Sequence, residues 1–143
     1  MTRTKGWNLA LGLGLLLAVA LACKFSASTA NISSLKVGKD KAVTQESSSF
    51  APGDTVYAVA EISNAPDKVK VTARLVADGV EEISNGPIPN SDVSVDLPGS
   101  GTATFNFKGP GGTWPKGKYK LEVKMLNENG EQKDQKSADF SVS

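Results

Sequence analysis

The chain has 143 residues, with 16 basic and 15 acidic side chains, no histidine, one cysteine and 39% hydrophobic residues. A chain of this length holds one ordinary domain with a short appendage. The formal charge of +1 gives no electrostatic reason to expect nucleic acid as a partner. The absence of histidine removes the commonest general base and zinc ligand, and a single cysteine forms no internal disulfide. These counts argue against an enzyme and against a metal or other cofactor.

The first 22 residues predict an export signal. Arg3 and Lys5 make the start of the chain positive, and an uninterrupted apolar run follows from Leu9 to Ala22. The run is shorter than the about 20 apolar residues that span a membrane, and it fits the roughly 7–15 of a signal-peptide core. We therefore expect residues 1–22 to form a signal-peptide helix.

The apolar run ends in small residues directly before the single cysteine, in the sequence Val19-Ala20-Leu21-Ala22-Cys23. This sequence resembles the lipobox of bacterial lipoproteins, although Ala20 and Leu21 stand in the reverse of the family's usual order. The resemblance implies that Cys23 is lipidated and becomes the first residue of the mature chain. Its acyl chains would hold the protein on a membrane of the bacterial cell envelope. Residues 23–31 would then be the lipidated cysteine and a short tether.

Two other interpretations of this segment stay open. Ordinary signal cleavage after Ala30 would remove the cysteine with the signal. An uncleaved anchor would leave Cys23 as a small hydrophobic residue without a special role. The residue after the cysteine is Lys24. In the lipoproteins of two-membrane bacteria, which this segment resembles, Asp at that position retains the protein in the inner membrane, so Lys24 favours the outer membrane.

The rest of the chain shows the period-two alternation of half-buried strands. In chain order, strands are predicted over 32–37 with a short continuation at 42–45, then over 55–63, 68–77, 80–84, 93–97, 103–107, 118–125 and 138–142. Hairpin turns are predicted at Asp78-Gly79 and at Asn129-Gly130, because such pairs between apolar flanks favour tight turns. Gly- and Pro-containing loops are predicted over 85–90, 98–101 and 109–117.

About seven to nine short strands without a helix predict an all-β fold, an antiparallel sandwich. Residues 32–143 resemble an immunoglobulin-like or fibronectin type III-like β-sandwich domain. The most specific point is the sequence from Trp114 to Tyr119, which resembles the tyrosine corner of those folds. The resemblance implies that Tyr119 is structural and that its hydroxyl bonds to upstream backbone. The chain lacks the cysteine pair of antibody-type domains, so the resemblance leaves the strand order open.

Trp114, Lys116 and Lys118 are candidate partner-binding residues, because loops at the ends of a sandwich often carry binding sites. An exposed Trp114 could anchor a protein partner or stack on a sugar. Alternatively, it could close the core beside Tyr119. The two lysines could contact anionic lipid or polysaccharide, or they could protect the sheet from edge-to-edge pairing.

Two other patterns have weaker functional interpretations. The spacing Gly112-x4-Gly117-Lys118 is that of a phosphate-binding loop, but Tyr119 replaces the required Ser or Thr and a strand follows, which favours a turn. Acidic residues gather near one another in two places, which favours a solvated surface over a calcium site. They are Asp78, Glu81 and Glu82, and then Asp92 and Asp96.

Together these patterns predict a non-enzymatic, lipid-anchored module outside the cytoplasm that binds another envelope component or a carbohydrate, such as an envelope protein or a polysaccharide. One alternative is an accessory subunit of an exported enzyme or transporter complex. The least favoured alternative is a small hydrolase that uses paired carboxylates, since such enzymes need a deep cleft.

Overall fold

The computed structural model describes residues 29–143, so the predicted signal peptide, Cys23 and most of the tether lie outside the described residues. Within this range the chain forms nine strands and a short 3-10 turn at Pro110–Gly112. The strands are β1 (Asn31–Gly38), β2 (Ser49–Phe50), β3 (Val56–Ser63), β4 (Val69–Val80), β5 (Gly86–Pro87), β6 (Val93–Leu97), β7 (Gly101–Phe107), β8 (Gly117–Leu126) and β9 (Gln132–Val142). None of the described helices is long and apolar enough to cross a membrane.

The strands form two sheets that pack face to face. The first sheet has the order β1-β3-β7 and is antiparallel. The second has the order β2-β9-β8-β4-β5, and β6 also pairs with β4. The short strand β2 runs parallel to β9, so the beginning of the domain contributes to both sheets. The predicted all-β, immunoglobulin-like β-sandwich is confirmed.

The core lies between the sheets and is filled by the alternate residues that the sequence pattern predicts. The inward side chains of β8 are Tyr119, Leu121, Val123 and Met125, each at most 1% exposed. Those of β7 are Ala103, Phe105 and Phe107, which are also buried. The side chains between them on each strand are partly or fully exposed. All of these inward residues belong to one cluster, and both sheets contribute to it.

The predicted continuation of the first strand at 42–45 is wrong, because a turn occupies these residues. The Asp40 carboxylate accepts a hydrogen bond from the backbone N–H of Thr44 at 3.0 Å. The backbone N–H of Val43 donates to the Asp40 carbonyl at 2.9 Å. The bond from Thr44 also holds the pKa of Asp40 below its usual value. The side chain of Asp40 thus stabilises a local turn where the sequence pattern predicts continued strand pairing.

The predicted hairpin at Asp78-Gly79, with a return strand over 80–84, is also wrong. Strand β4 continues through both residues to Val80, and the chain turns only after it, where Glu82 has φ of 66°. Gly79 has φ of 103° and lies in a bulge, where the register between β4 and β8 shifts. A glycine with positive φ suits a bulge as well as a hairpin turn. The pair Asp-Gly therefore indicates a break in regular strand geometry but does not distinguish a bulge from a hairpin.

The second predicted hairpin, at Asn129-Gly130, is confirmed. It joins β8 to β9, Gly130 has φ of 79°, and its N–H donates to the Asn127 carbonyl at 3.0 Å. Strands β2 and β5 were not predicted, because two residues are too few to show an alternating pattern.

Candidate binding site

Trp114, in the loop between β7 and β8, is part of the core. Its side chain is 3% exposed. The indole N–H donates to the carbonyl oxygen of Asp54 at 2.8 Å, and the backbone N–H of Trp114 donates to the Pro52 carbonyl at 2.7 Å. Trp114 therefore closes the core, which is the second of the two roles predicted for it.

Tyr119, the first inward residue of β8, bonds to upstream backbone in the manner of a tyrosine corner. Its hydroxyl donates to the carbonyl oxygen of Pro115 at 2.5 Å. Its ring stacks on Phe140 with centroids 5.1 Å apart and meets the edge of Trp114 at 5.2 Å. Such aromatic pairs are worth about 0.5–1.5 kcal/mol each beyond their buried area. Burial raises the pKa of the Tyr119 hydroxyl above its ordinary value.

Two glycines allow the loop around Trp114 to close. A Cβ atom on Gly109 would collide with the backbone of Trp114. A Cβ atom on Gly117, which has φ of 145°, would collide with the backbone of Gly79 in the bulge of β4. Of the two glycines in the phosphate-loop spacing over 112–118, Gly117 serves this close approach and a Cβ on Gly112 would meet open space. A strand follows the pattern where a phosphate site needs a helix.

An apolar cleft opens between the sheets on the side bounded by β6 and β7. Its volume is about 260 Å³, and both sheets contribute to its lining. The principal apolar residues of the lining are Leu75, Ile83, Ile88, Val93, Phe107 and Trp114. Trp114 and Leu75 are themselves core residues, so the cleft is a gap in the wall of the core and not a groove on the outer face of a sheet.

Val93 shows that part of the core is uncovered here. It alternates along β6 with Val95 and Leu97, both of which pack against the core, so Val93 belongs to the inward face. It is nevertheless 40% exposed, and it is the one exposed large hydrophobic residue in the described part of the chain. The residues between β5 and β6 form no strand, and β7 of the opposite sheet ends at Phe107, which lines the same cleft.

Ser91 holds the rim of the cleft against β4. Its hydroxyl accepts a hydrogen bond from the backbone N–H of Leu75 at 3.1 Å and donates to the Ile88 carbonyl at 2.7 Å. The backbone N–H of Ile88 donates in turn to the Leu75 carbonyl at 2.9 Å. These bonds tie the segment between β5 and β6 to β4, and they fix Ile88 as a wall of the cleft.

Polar side chains stand at the mouth of the cleft. Asn90, Asn106 and Lys108 belong to its lining and are all exposed. Among the described residues, no carboxylate forms an ion pair with Lys108. An apolar interior with two amides and a cation at the mouth suits a ligand with an apolar body and an anionic or hydrogen-bonding end.

The two predicted lysines lie outside this cleft. Lys116 and Lys118 are exposed, and neither belongs to its lining. Lys118 lines a separate open groove together with Asp78 and Asp139. The carbonyl of Lys116 accepts a hydrogen bond from the Glu81 N–H at 2.9 Å, which ties the loop to the turn after β4. Of the three candidate residues, only Trp114 reaches the cleft.

The acidic residues that the sequence groups together are exposed, and none of them lines the cleft. They are Asp78, Glu81, Glu82, Asp92 and Asp96. The described residues contain no group of three or more His, Cys, Asp or Glu side chains that could hold a metal ion. A carboxylate-based hydrolase would need one of its acids in an apolar pocket, and these five carboxyls do not lie in one.

No protein-family model matches the chain, and no curated protein sequence matches it. Among solved structures, the chain is similar to the C-terminal domain of Wzt, with a TM-score of 0.52, 12% identity, and coverage of 80% of this chain and 73% of that one. It is also similar to an immunoglobulin-like protein from Pseudomonas aeruginosa, with a TM-score of 0.48, 16% identity, and coverage of 81% and 98%. A Niemann-Pick type C2 protein from the Japanese carpenter ant has a TM-score of 0.49 and 15% identity, with coverage of 81% and 94%. At these identities the likeness shows the fold alone, and the first comparison agrees with the β-sandwich seen here.

Sequence reasoning did not identify Ile88, Ser91, Val93 or Lys108 as parts of a site. Ile88 carried one signal that could have been used. It is a large apolar residue between Pro87 and Pro89, in a segment predicted to be a loop. An isoleucine in such a loop is often packed against another element, and here it forms a wall of the cleft.

Proposed function

We propose that the chain is a non-enzymatic, lipid-anchored module outside the cytoplasm, and that it binds an apolar part of another envelope component in the cleft. The observation that carries this proposal is the 40% exposure of Val93 on the inward face of β6. An inward position of a sandwich is normally covered by the opposite sheet, so its exposure offers apolar surface to a ligand. The anchor rests on the resemblance of the sequence before Cys23 to a lipobox.

The lining of the cleft favours an apolar group over a sugar ring. A sugar stacks on the exposed face of an aromatic ring, whereas Trp114 is 3% and Tyr119 is 1% exposed. The volume of about 260 Å³ lies below the about 300–1,000 Å³ of pockets for drug-sized ligands. One branched side chain or a short length of acyl chain fits this size, and Lys108 at the mouth favours an anionic or carbonyl group beside it.

Photo-crosslinking in intact cells tests the site. A photoreactive phenylalanine analogue in place of Val93 is expected to give a discrete adduct under ultraviolet light. The same analogue in place of Ser94 is the matched control, because Ser94 is the next residue of β6, is exposed and faces away from the cleft. An adduct from position 93 alone supports the proposal, whereas equal adducts from both positions, or none from either, would contradict it.

The mass of the adduct also separates the alternatives for the partner. A lipid or a non-enzymatic envelope protein agrees with the binding module. A single stoichiometric adduct with an enzyme or transporter subunit would instead favour the accessory-subunit alternative.

The mass of the protein purified from membranes tests the anchor. We expect a chain that begins at Cys23 and carries acyl chains, and a Cys23→Ser variant that keeps its signal and gains no acyl mass. A mature chain that begins at Asn31 would show ordinary signal cleavage. A full-length chain without acyl groups would show an uncleaved anchor, and either result would contradict lipidation.

A further inference from the structure

The outer edge of β7 is the one long strand edge among the described residues that carries no protection. β7 is the last strand of the first sheet, and its pairing partner is β3 alone. No backbone hydrogen bond from the described residues reaches its other side. The edge therefore presents a row of free N–H and C=O groups, which is a template for pairing with another strand.

The other sheet edges carry the usual protections against such pairing. β1 has a bulge between Ile32 and Ser34, and the Asp134 carboxylate accepts the Ile32 N–H at 2.8 Å. β2 and β5 are two residues long, and β5 contains Pro87. β6 and the part of β9 that β2 does not pair with are also edges, and both carry charged residues, Asp96 on β6 and Lys136 on β9. β7, with the sequence GTATFNF, pairs with β3 in a continuous register and contains no proline and no charged residue.

The sequence of β7 is complementary to itself in an antiparallel register centred on Thr104. The buried faces of both copies lie on the same side of the joined sheet only when inward residues lie opposite inward residues, because side chains alternate along a strand. The inward residues of β7 all have odd numbers, so the two residue numbers of each opposite pair must add up to an even number. In the register centred on Thr104, Gly101 lies opposite Phe107 of the second copy, and Ala103 lies opposite Phe105 of the second copy. Each inward pair joins a small residue to a large one, which is a favourable cross-strand arrangement.

Charges on the outward face agree with the same register. Glu61 of β3 lies beside Thr102 of β7, and the Thr102 hydroxyl donates to its carboxylate at 3.1 Å. In the paired edge, Thr102 would lie opposite Asn106 of the second copy, and Lys108 of the second copy would follow on the same face. Glu61 and Lys108 are both exposed, so the symmetry brings two pairs of opposite charges near each other across the junction.

We propose that the chain forms a two-fold symmetric dimer in which two β7 strands pair antiparallel about Thr104. The two three-stranded sheets become one continuous sheet, and the free backbone groups of both edges pair with each other. The junction shares Asn106 and Lys108 with the mouth of the cleft, so the dimer and a ligand in the cleft would compete for these two residues. A junction of two seven-residue strands is smaller than the standard interface of about 1,600 Å², so the association is weak and is best trapped covalently.

Cysteine cross-linking of the full chain in detergent micelles tests the dimer. Cys23→Ser removes the single native cysteine, and Thr104→Cys then places two thiols directly opposite each other. Opposite residues of an antiparallel pair have Cα atoms about 4.5–5.5 Å apart, within the about 4.4–6.8 Å of a disulfide. Matched controls are Thr102→Cys, two residues along the same edge, and Ser94→Cys, an exposed residue of β6. We expect Thr104→Cys to form the disulfide dimer at least about tenfold faster than either control, whereas equal rates would overturn the proposal.

A charge exchange tests the register in the same assay. Lys108→Glu should slow the cross-linking of Thr104→Cys, and adding Glu61→Lys should restore it. Lys36→Glu, at an exposed lysine of β1, is the control and should leave the rate unchanged. Failure of the double exchange to restore the rate would overturn the register centred on Thr104. Thermal unfolding of each variant shows whether a slow rate reflects a damaged fold.

Discussion

The indole N–H of Trp114 donates a 2.8 Å hydrogen bond to the carbonyl oxygen of Asp54, which lies 60 residues earlier in the chain. The Asp54 carboxylate in turn accepts the backbone N–H of Ala51 at 2.8 Å, so the turn before β3 is a closed unit. Trp114 also donates its backbone N–H to Pro52. These bonds fasten the loop before β3 to the loop after β7, at the end of the sandwich where the cleft opens.

Trp114→Phe should lower the free energy of unfolding by about 2–4 kcal/mol. The Asp54 carbonyl would lose its donor, and the smaller ring would leave a gap in the core. Chemical denaturation followed by circular dichroism measures the loss. Tyr57→Phe, on the half-exposed face of β3, is the control and should change the stability by less than about 0.5 kcal/mol. Equal losses in the two variants would contradict the role of the indole.

The raised pKa of Tyr119 predicts a loss of stability at high pH. Because burial raises this pKa above 10.0 in the folded protein only, the unfolded chain releases the proton first. The stabilisation is fully present below the unfolded pKa and is lost as the pH rises through the folded one. The melting temperature of the native protein should therefore fall more steeply above about pH 10 than that of Tyr119→Phe. Parallel curves for the two proteins would contradict this assignment.

Gly117→Ala should cost about 2–4 kcal/mol of stability. The residue has φ of 145°, and an added Cβ would collide with the backbone of Gly79. Gly111→Ala is the matched control, because Gly111 also has positive φ, at 67°, but a Cβ there meets open space. It should cost only about 1 kcal/mol. Equal costs in urea denaturation would show that backbone conformation alone, and not the close approach of β4 and β8, decides the need for glycine.

Ser91→Ala should lower the free energy of unfolding by about 1–2 kcal/mol, because the N–H of the buried Leu75 loses its hydrogen-bond partner. It should also weaken the adduct formed from position 93, since the rim that carries Ile88 is no longer held against β4. Ser94→Ala removes a hydroxyl that bonds only to the Thr72 hydroxyl at 2.9 Å on the surface, and it should leave both measurements nearly unchanged. An undiminished adduct in Ser91→Ala would show that the rim is positioned by other contacts.

Strands whose inward residues repeat without interruption could be predicted from the sequence. β8 was predicted over 118–125 and runs from Gly117 to Leu126, because each second residue is large and apolar. The path after Val80 could not be predicted in the same way. Gly79 permits both a hairpin and a bulge, and the choice depends on its packing against Gly117, which is distant in sequence.

The cleft could not be predicted for a different reason. Val93, Val95 and Leu97 alternate like any inward face, and the pattern contains no sign that the first of them is exposed. Its exposure depends on the lack of a strand between β5 and β6 and on the end of β7 at Phe107, which together leave it uncovered. The local pattern therefore predicts which side chains of β6 point inward. Contacts between segments distant in the sequence determine which of these side chains remains exposed.

The chain enters the sandwich at Asn31, beside Ser63, whereas the cleft lies beside Phe107, which pairs with Val56 at the other end of β3. The eight residues of β3 separate these ends by about 25 Å, at about 3.3 Å per residue. In a single copy anchored through Cys23, the chain would lead from the membrane to the end of the sandwich at Asn31, and the cleft would lie at the opposite end. In the proposed dimer the second copy is inverted. Its tether reaches about 25 Å at full extension, so both anchors enter one bilayer only when the pair lies flat. Anchoring of both copies would therefore restrict the tilt of the sheets relative to the membrane.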